Sequence, residues 1–430
     1  MGIVTKTWIV LDTVKWSQRI FRLSLLSLPY ISYVCFPGLL FVMGAVAQRF
    51  RRLAVDRWIG CGLMGVSGLM VLSAWFAYNR GEALLHLWNF LPFFLLFSLL
   101  PFVLNRTEQL EKLALDIVLV SIPINLYALV QYIAKLRILP RDIRRFPLVL
   151  WLRQTPHRER ALSVFDHPNT LASFLVLVLA LGLGLIIKRS LDAQRSLPEA
   201  GPAYWIANRW LYVATYANLV GIFCSGSRNG VLIAVAQIIT ASILIKVNYK
   251  MFWVGLVGLG AIIVSILGMG LGGRSLSLNI FTQDPRLGIW KIGWTLMQER
   301  PWLGWGLGNF KFLYPERNDM GLPMVTHPHN FWLLMGCEVG VLAMVIMTLT
   351  IGYICFKAVW LLLDQGFSQS HNAILLGYLM AFGGCTLFSL FDITFYDSRI
   401  NIMNWFVLAG IYTFTQLSSA QGRSRLGLES

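Results

Sequence analysis

The sequence predicts an all-α polytopic membrane protein of about twelve transmembrane helices. Two observations carry that expectation. Of 430 residues, 57% are hydrophobic and only 13% charged, with a mean hydropathy of +0.64, against roughly 45–50% apolar residues in an average soluble domain. Apolar runs of about 18–25 residues also recur along the whole chain, and about 20 residues are needed to cross a hydrocarbon core roughly 30 Å thick. Backbone groups in such runs must pair internally, so the runs are helices.

Spans are expected at about 58–77, 84–104, 114–134, 169–187, 205–224, 228–246, 252–271, 330–356, 373–391 and 401–418. The segment 21–47 is long for one crossing and short for two. Pro37-Gly38 near its middle is a turn signal, and orientation decides in favour of a tight hairpin. With a hairpin, Lys6, Lys15, Arg19, Arg22, the basic stretch 48–57, Arg106, Lys112, Lys188, Arg189, Lys246, Lys250, Lys357, Arg423 and Arg425 share one side. That side is then cytoplasmic, with both termini on it. No cleavable signal peptide is expected, because the first apolar run follows a basic, tryptophan-containing segment and lacks a small-residue cleavage site.

The whole chain 1–430 therefore reads as a single transmembrane domain. Two long loops lie outside, at 135–168 and 272–328, the second carrying an amphipathic interfacial helix over about 285–298. The net charge of +16 borders apolar spans, so orientation and anionic membrane lipids account for it, and no nucleic-acid motif accompanies it. The six cysteines fall in or beside apolar runs without a pairing or metal-binding pattern.

Several polar positions stand out against this background. Arg228, in CSGSRNG at 224–230, sits between two spans with almost no loop, where a guanidinium either faces a cavity or snorkels to the headgroups. Arg286 opens a helix after Asp284-Pro285, a capping residue followed by a residue suited to a first turn, so it either holds a phosphate beside free N–H groups or lies exposed at the interface. Leu287, Trp290, Trp294 and Met297 form an apolar stripe along that helix. Gly304, Gly306 and Gly308 do not match a nucleotide loop and follow no strand, so they read as turn formers.

The motif THPHN at 326–330 ends the second loop. His327 and His329 suit a general base, because histidine titrates closest to physiological pH. No third ligand is spaced nearby, so no metal is expected. Glu338, two helical turns into the next span, is an ionisable group at membrane depth and thus a candidate for cavity lining or for a buried, hydrogen-bonded role. Asp166, His167 and Asn169 stand at the mouth of another span. Arg158 and Arg160 belong to a first loop rich in arginine that suits an anionic substrate, whereas Asp392, Asp397 and Arg399 are expected to form surface ion pairs.

Together these residues resemble the O-antigen ligase and O-antigen polymerase superfamily of bacterial inner-membrane proteins. The elements that match are Pro168-Asn169, S-x-S-R-x-G at 225–230, R-x-x-x-W at 286–290, R-P-x-x-G-x-G-x-G at 300–308 and H-x-H-N at 327–330. The resemblance implies transfer of a glycan from a polyprenyl diphosphate carrier to a lipid, glycan or protein acceptor, without metal, nucleotide sugar or other cofactor. It implies Arg228 and Arg286 as diphosphate ligands and a histidine of the H-x-H-N motif as base, with His329, which abuts Asn330, preferred over His327. Asn169, Asn330, Glu338, Arg158 and Arg160 are candidates for lining the same cavity. A sub-branch of similar pattern is labelled as inorganic-carbon (bicarbonate) transporters, so anion transport is the alternative, although no inverted repeat marks the chain.

Overall fold

The structure is a computed structural model that describes residues 2–50, 53–134, 160–196, 202–244, 260, 284–319, 321–365 and 370–425. The expected span at 252–271, Arg158 and most of the first long loop lie outside these residues. The described elements are α1 (Gly2–Ser27), α2 (Ser32–Phe50), α3 (Arg57–Trp75), α4 (Arg80–His86), α5 (Leu91–Val103), α6 (Thr107–Ile133), α7 (Pro168–Ser196), α8 (Pro202–Ser225), α9 (Arg228–Leu244), α10 (Arg286–Glu299), α11 (Phe310–Arg317), α12 (Phe331–Glu338), α13 (Val341–Gln365), α14 (Ser370–Phe388) and α15 (Ser398–Arg425). Seven helical segments among the described residues are long and apolar enough to cross a membrane: Ser32–Phe50, Arg57–Trp75, Arg80–Val103, Thr107–Ile133, Pro168–Ala193, Val341–Asp364 and Ser370–Phe388. Helices also stand at the expected spans 205–224, 228–246 and 401–418, but α8, α9 and α15 do not meet that test.

The centre of the bundle is α7, whose membrane-length stretch is buried throughout. Its sequence, LASFLVLVLALGLGLII, is apolar all round, which is the pattern of a helix enclosed on every side. It packs against α6, α8, α9 and α14. The approach to α14 is closest at Gly184 and Gly377, where a Cβ on Gly184 would stand 2.7 Å from the Gly377 Cα. Small residues at such a crossing let two helix backbones touch.

Two expectations need correction. The helical hairpin formed by α1 and α2 turns at 28–31, where the Tyr30 and Ile31 N–H groups both donate to the Ser27 carbonyl. Pro37 lies inside α2 instead. A proline early in a membrane helix is tolerated when neighbouring groups take up the freed carbonyl, and Pro29 supplies the break.

The expected span 330–356 is likewise two helices, α12 and α13, broken at Val339-Gly340. Gly340 has φ +101°, and a Cβ there would overlap the Trp302 carbonyl. The Val341 N–H donates to the Pro301 carbonyl at 2.8 Å. The second loop thus wedges into the helix, and only glycine fits under it.

The part of the second loop that is described has its own small core. Ile289, Ile292, Leu296 and Met297 of α10 pack with Phe310, Leu313 and Tyr314 of α11 and with Cys337 of α12. The stripe read from the sequence lies mostly on the other face of α10, with Met297 at its border with the core: Leu287 and Trp294 are exposed, and with Trp290 and Met297 they line a groove shared with Trp332, Leu333 and Met344.

Candidate functional site

His329 sits at the loop-to-helix junction before α12. Asn330 caps that helix, its side-chain oxygen accepting from the Leu333 N–H at 3.0 Å. The neighbouring backbone is unusual, because His329 has φ +53°, a left-handed conformation that non-glycine residues adopt rarely and often at functional positions. The turn is closed locally: the His329 N–H donates to His327 Nδ1 at 3.3 Å. That bond fixes His327 with a bare Nδ1, so in the neutral ring Nε2 carries its proton.

His329 has the opposite arrangement. Its Nδ1 lies 3.0 Å from Asp392 Oδ1, so the ring donates there and leaves Nε2 as an acceptor. Asp392 is 7% exposed. It is therefore no surface ion pair; it arrives from the segment between α14 and α15 and is enclosed by donors. Its Oδ2 accepts from Asn169 Nδ2 at 2.5 Å. Burial pushes the Asp392 carboxyl up, but the hydrogen bond and charge of His329, helped by His327 and Asn169, hold it well below the ordinary carboxylate range. Burial lowers His327 to about 4, and His329 beside it acts in the same direction. The two imidazole rings stand edge to face at 4.6 Å.

The chain of contacts continues away from the histidines. Arg160 Nη2 donates to Asn169 Oδ1 at 2.6 Å, and its Nε donates to the Ser225 carbonyl at 2.8 Å. Ser225 ends α8, and Arg228 begins α9 just beyond. One run of hydrogen bonds thus joins the S-x-S-R-x-G turn, Arg160, the Pro168-Asn169 helix entrance, Asp392 and His329. Asp397 and Arg399 do pair, with Asp166 also on the guanidinium, but Arg399 is 8% exposed and also donates to the Val164 carbonyl. They fasten the start of α15 to the segment before α7 and are not a surface pair.

Arg228 and Arg286 are each half-buried, and among the described residues neither guanidinium has a protein partner. The Arg286 backbone N–H donates to Asp284 Oδ1 at 3.0 Å, so Asp284 holds the helix start. The helix it opens packs against α12, with Gly293 closely covered by Leu333 and Pro328. No contact joins Arg228 or Arg286 to the histidines directly.

Glu338 is not a cavity wall. It is 1% exposed, and its carboxylate accepts the Gly308 N–H at 2.8 Å and the Phe310 N–H at 3.0 Å, while its carbonyl accepts from Gly306 N at 2.7 Å. Tyr396 Oη reaches the same carboxylate at 3.4 Å. Gly304, Gly306 and Gly308 all have positive φ, so the run is the turn read from the sequence, clasped at its end by Glu338.

Sequence reasoning missed Asp392 as a partner of His329. The expectation of no metal rested on the lack of a third ligand nearby, and the fold supplies one. His327, His329 and Asp392 present ligand atoms within 4.8 Å of one another, an arrangement able to hold a metal ion. The carboxylate is nonetheless already engaged by His329, Asn169 and the Ile393 N–H.

Fold and site define a multi-pass membrane protein with a carboxylate-oriented histidine and, among the described residues, two arginines without a protein partner. Residues 213–348 match the family model described as O-antigen ligase, a stretch that includes Arg228, Arg286, His327, His329 and Glu338. The match covers 136 of the 430 residues, and over that stretch the chain is similar to the O-antigen ligase family. It lends no support to anion transport. No curated protein matches the chain.

Proposed function

We propose that the protein transfers a glycan from a polyprenyl diphosphate carrier to an acceptor hydroxyl by a single, inverting displacement that needs no metal, at the outer face of the bacterial inner membrane. The observation that supports it best is the 3.0 Å contact between His329 Nδ1 and Asp392 Oδ1, since a carboxylate there draws the ring proton to Nδ1 and leaves Nε2 to accept. In this reading the acceptor oxygen attacks the anomeric carbon as the bond from that carbon to the diphosphate oxygen breaks. The acceptor proton passes to His329 Nε2, a contribution typically of about 10²–10⁴-fold. Asp392 stabilises the imidazolium that forms.

Negative charge grows on the departing diphosphate. Arg228 and Arg286, uncommitted to any described protein group, suit that charge, since a guanidinium binds phosphate oxygens in pairs and needs no reorganisation in a preformed site. His327 keeps its Nε2 proton and serves as a donor and as a prop for the His329 turn. Purified protein with chelator present should move a labelled glycan from a polyprenyl diphosphate donor to acceptor. Arg228→Ala, Arg286→Ala and His329→Ala should each lower the rate at least about a hundredfold. Wild-type rates in all three would overturn the assignment, and loss of transfer on chelation would overturn the metal-independent part.

A further inference from the structure

The fold brings one ligand atom each from His327, His329 and Asp392 to within 4.8 Å of one another. Ligand atoms around a tetrahedral Zn²⁺ stand about 3.4 Å apart, since each lies about 2.1 Å from the ion. Small turns of the side chains therefore close the set on an ion. His329 Nδ1 and Asp392 Oδ1 are already 3.0 Å apart, and the two imidazole rings meet edge to face.

The carboxylate is held in place without His329. Its Oδ2 accepts from the Asn169 amide and its Oδ1 from the Ile393 N–H, so Asp392 keeps two hydrogen bonds when the ring proton between it and His329 is replaced. Among the described residues no lysine or arginine is hydrogen-bonded to it. Groups that orient a ligand from behind are what a metal site needs besides the ligands themselves. Both histidines are half-buried, which leaves a path from solvent. Two neutral imidazoles and one carboxylate suit a borderline dication such as Zn²⁺, whereas Mg²⁺ and Ca²⁺ prefer oxygen ligands throughout.

We propose that His327, His329 and Asp392 bind one transition-metal ion of the Zn²⁺ type, and that the bound ion inhibits the protein by capturing its base. The ion takes the place of the proton on His329 Nδ1. That proton moves to Nε2, so the ring stays neutral but presents a donor where the attacking hydroxyl requires an acceptor. Binding follows from the geometry of the three side chains; inhibition rests on His329 being the base of the transfer proposed above. No catalytic step runs through the ion.

The test uses tag-free, full-length protein in detergent, stripped of metal with a chelator. By equilibrium dialysis the wild type should bind one Zn²⁺ per chain, its melting temperature should rise with the ion, and Mg²⁺ should do neither. His327→Ala, His329→Ala and Asp392→Asn should each weaken Zn²⁺ binding at least about tenfold. In the wild type, free Zn²⁺ at about ten times its Kd should lower transfer about tenfold, and chelator should restore it.

No Zn²⁺ binding by the wild type, an equal response to Mg²⁺, binding that survives all three substitutions, or undiminished transfer with the ion bound would each overturn the proposal. Absent binding beside normal transfer strikes the metal site and leaves His329 as base. Metal-free wild type that transfers nothing counts against the transfer reading, and the binding measurements still decide the site.

Discussion

Asp392→Asn keeps the shape of a side chain that is 7% exposed and removes its charge. The consequence follows from the donors around it. Asn169 Nδ2 already points at Oδ2, so an asparagine must turn its own oxygen toward Asn169 and its NH₂ toward His329. The His329 ring must then accept at Nδ1 and carry its proton on Nε2, which is the wrong tautomer for a base. The lost charge adds to this. A carboxylate 3.0 Å from a forming imidazolium is worth about 5–6 kcal/mol at an effective dielectric of about 20. His329 is 25% exposed, and halving the figure for screening leaves about 3 kcal/mol, or roughly a hundredfold in rate. With the tautomer penalty, transfer should fall about 10²–10⁴-fold.

The assay is single-turnover transfer from labelled polyprenyl diphosphate donor, run beside His329→Ala and the double variant. Residues acting as one unit are non-additive, so the double variant should be no slower than His329→Ala alone. A folded Asp392→Asn protein that retains a third or more of the wild-type rate would refute the reasoning.

Glu338→Gln should destabilise the protein by about 1–3 kcal/mol, because an amide can accept only one of the two N–H groups and turns its own donor toward the other; thermal unfolding in detergent reads the loss. Gly308→Ala forces a Cβ onto a backbone at φ +71° and to 2.6 Å from the His86 ring, costing about 2–3 kcal/mol. Adding His86→Ala should restore the steric part and leave the conformational part of about 1–2 kcal/mol. His327, held near 4 from an ordinary 6.5, is neutral in the fold and protonates more readily when unfolded. Its contribution is fully present above about pH 6.5 and is lost as pH falls toward 4, so His327→Asn should flatten the fall in melting temperature over that interval.

The bundle was legible because its signal is local: a run of about 20 apolar residues declares a span wherever it occurs, whereas the central place of α7 emerged only from its packing. The breaks were less so. Pro37-Gly38 is the stronger local turn signal, and the packing of α1 on α2 overrides it in favour of a turn at Pro29. Nothing in FWLLMGCEVGVL shows that residues 301–303 press on Gly340 and split the helix. The site divides in the same way. Arg286 after Asp284-Pro285 and the two histidines around Pro328 are recognisable in place, since cap and turn chemistry lie in adjacent residues. Asp392 is 63 residues from His329, and Asn169 is 223 residues from Asp392. Contacts of that span exist only after α7 and α14 have packed.

The run of hydrogen bonds from Ser225 through Arg160, Asn169 and Asp392 to His329 also bears on where the protein can be divided. The family match begins at 213 and ends at 348, so it holds the arginines and the histidines yet excludes Arg160, Asn169 and Asp392. A polypeptide cut to those borders would keep every recognisable motif except Pro168-Asn169 and lose the groups that aim them. Circular permutation or splitting should therefore be tolerated only where the two pieces still reassemble around α7. Coexpressed fragments that restore the Asn169–Asp392 bond would recover function that neither fragment has alone.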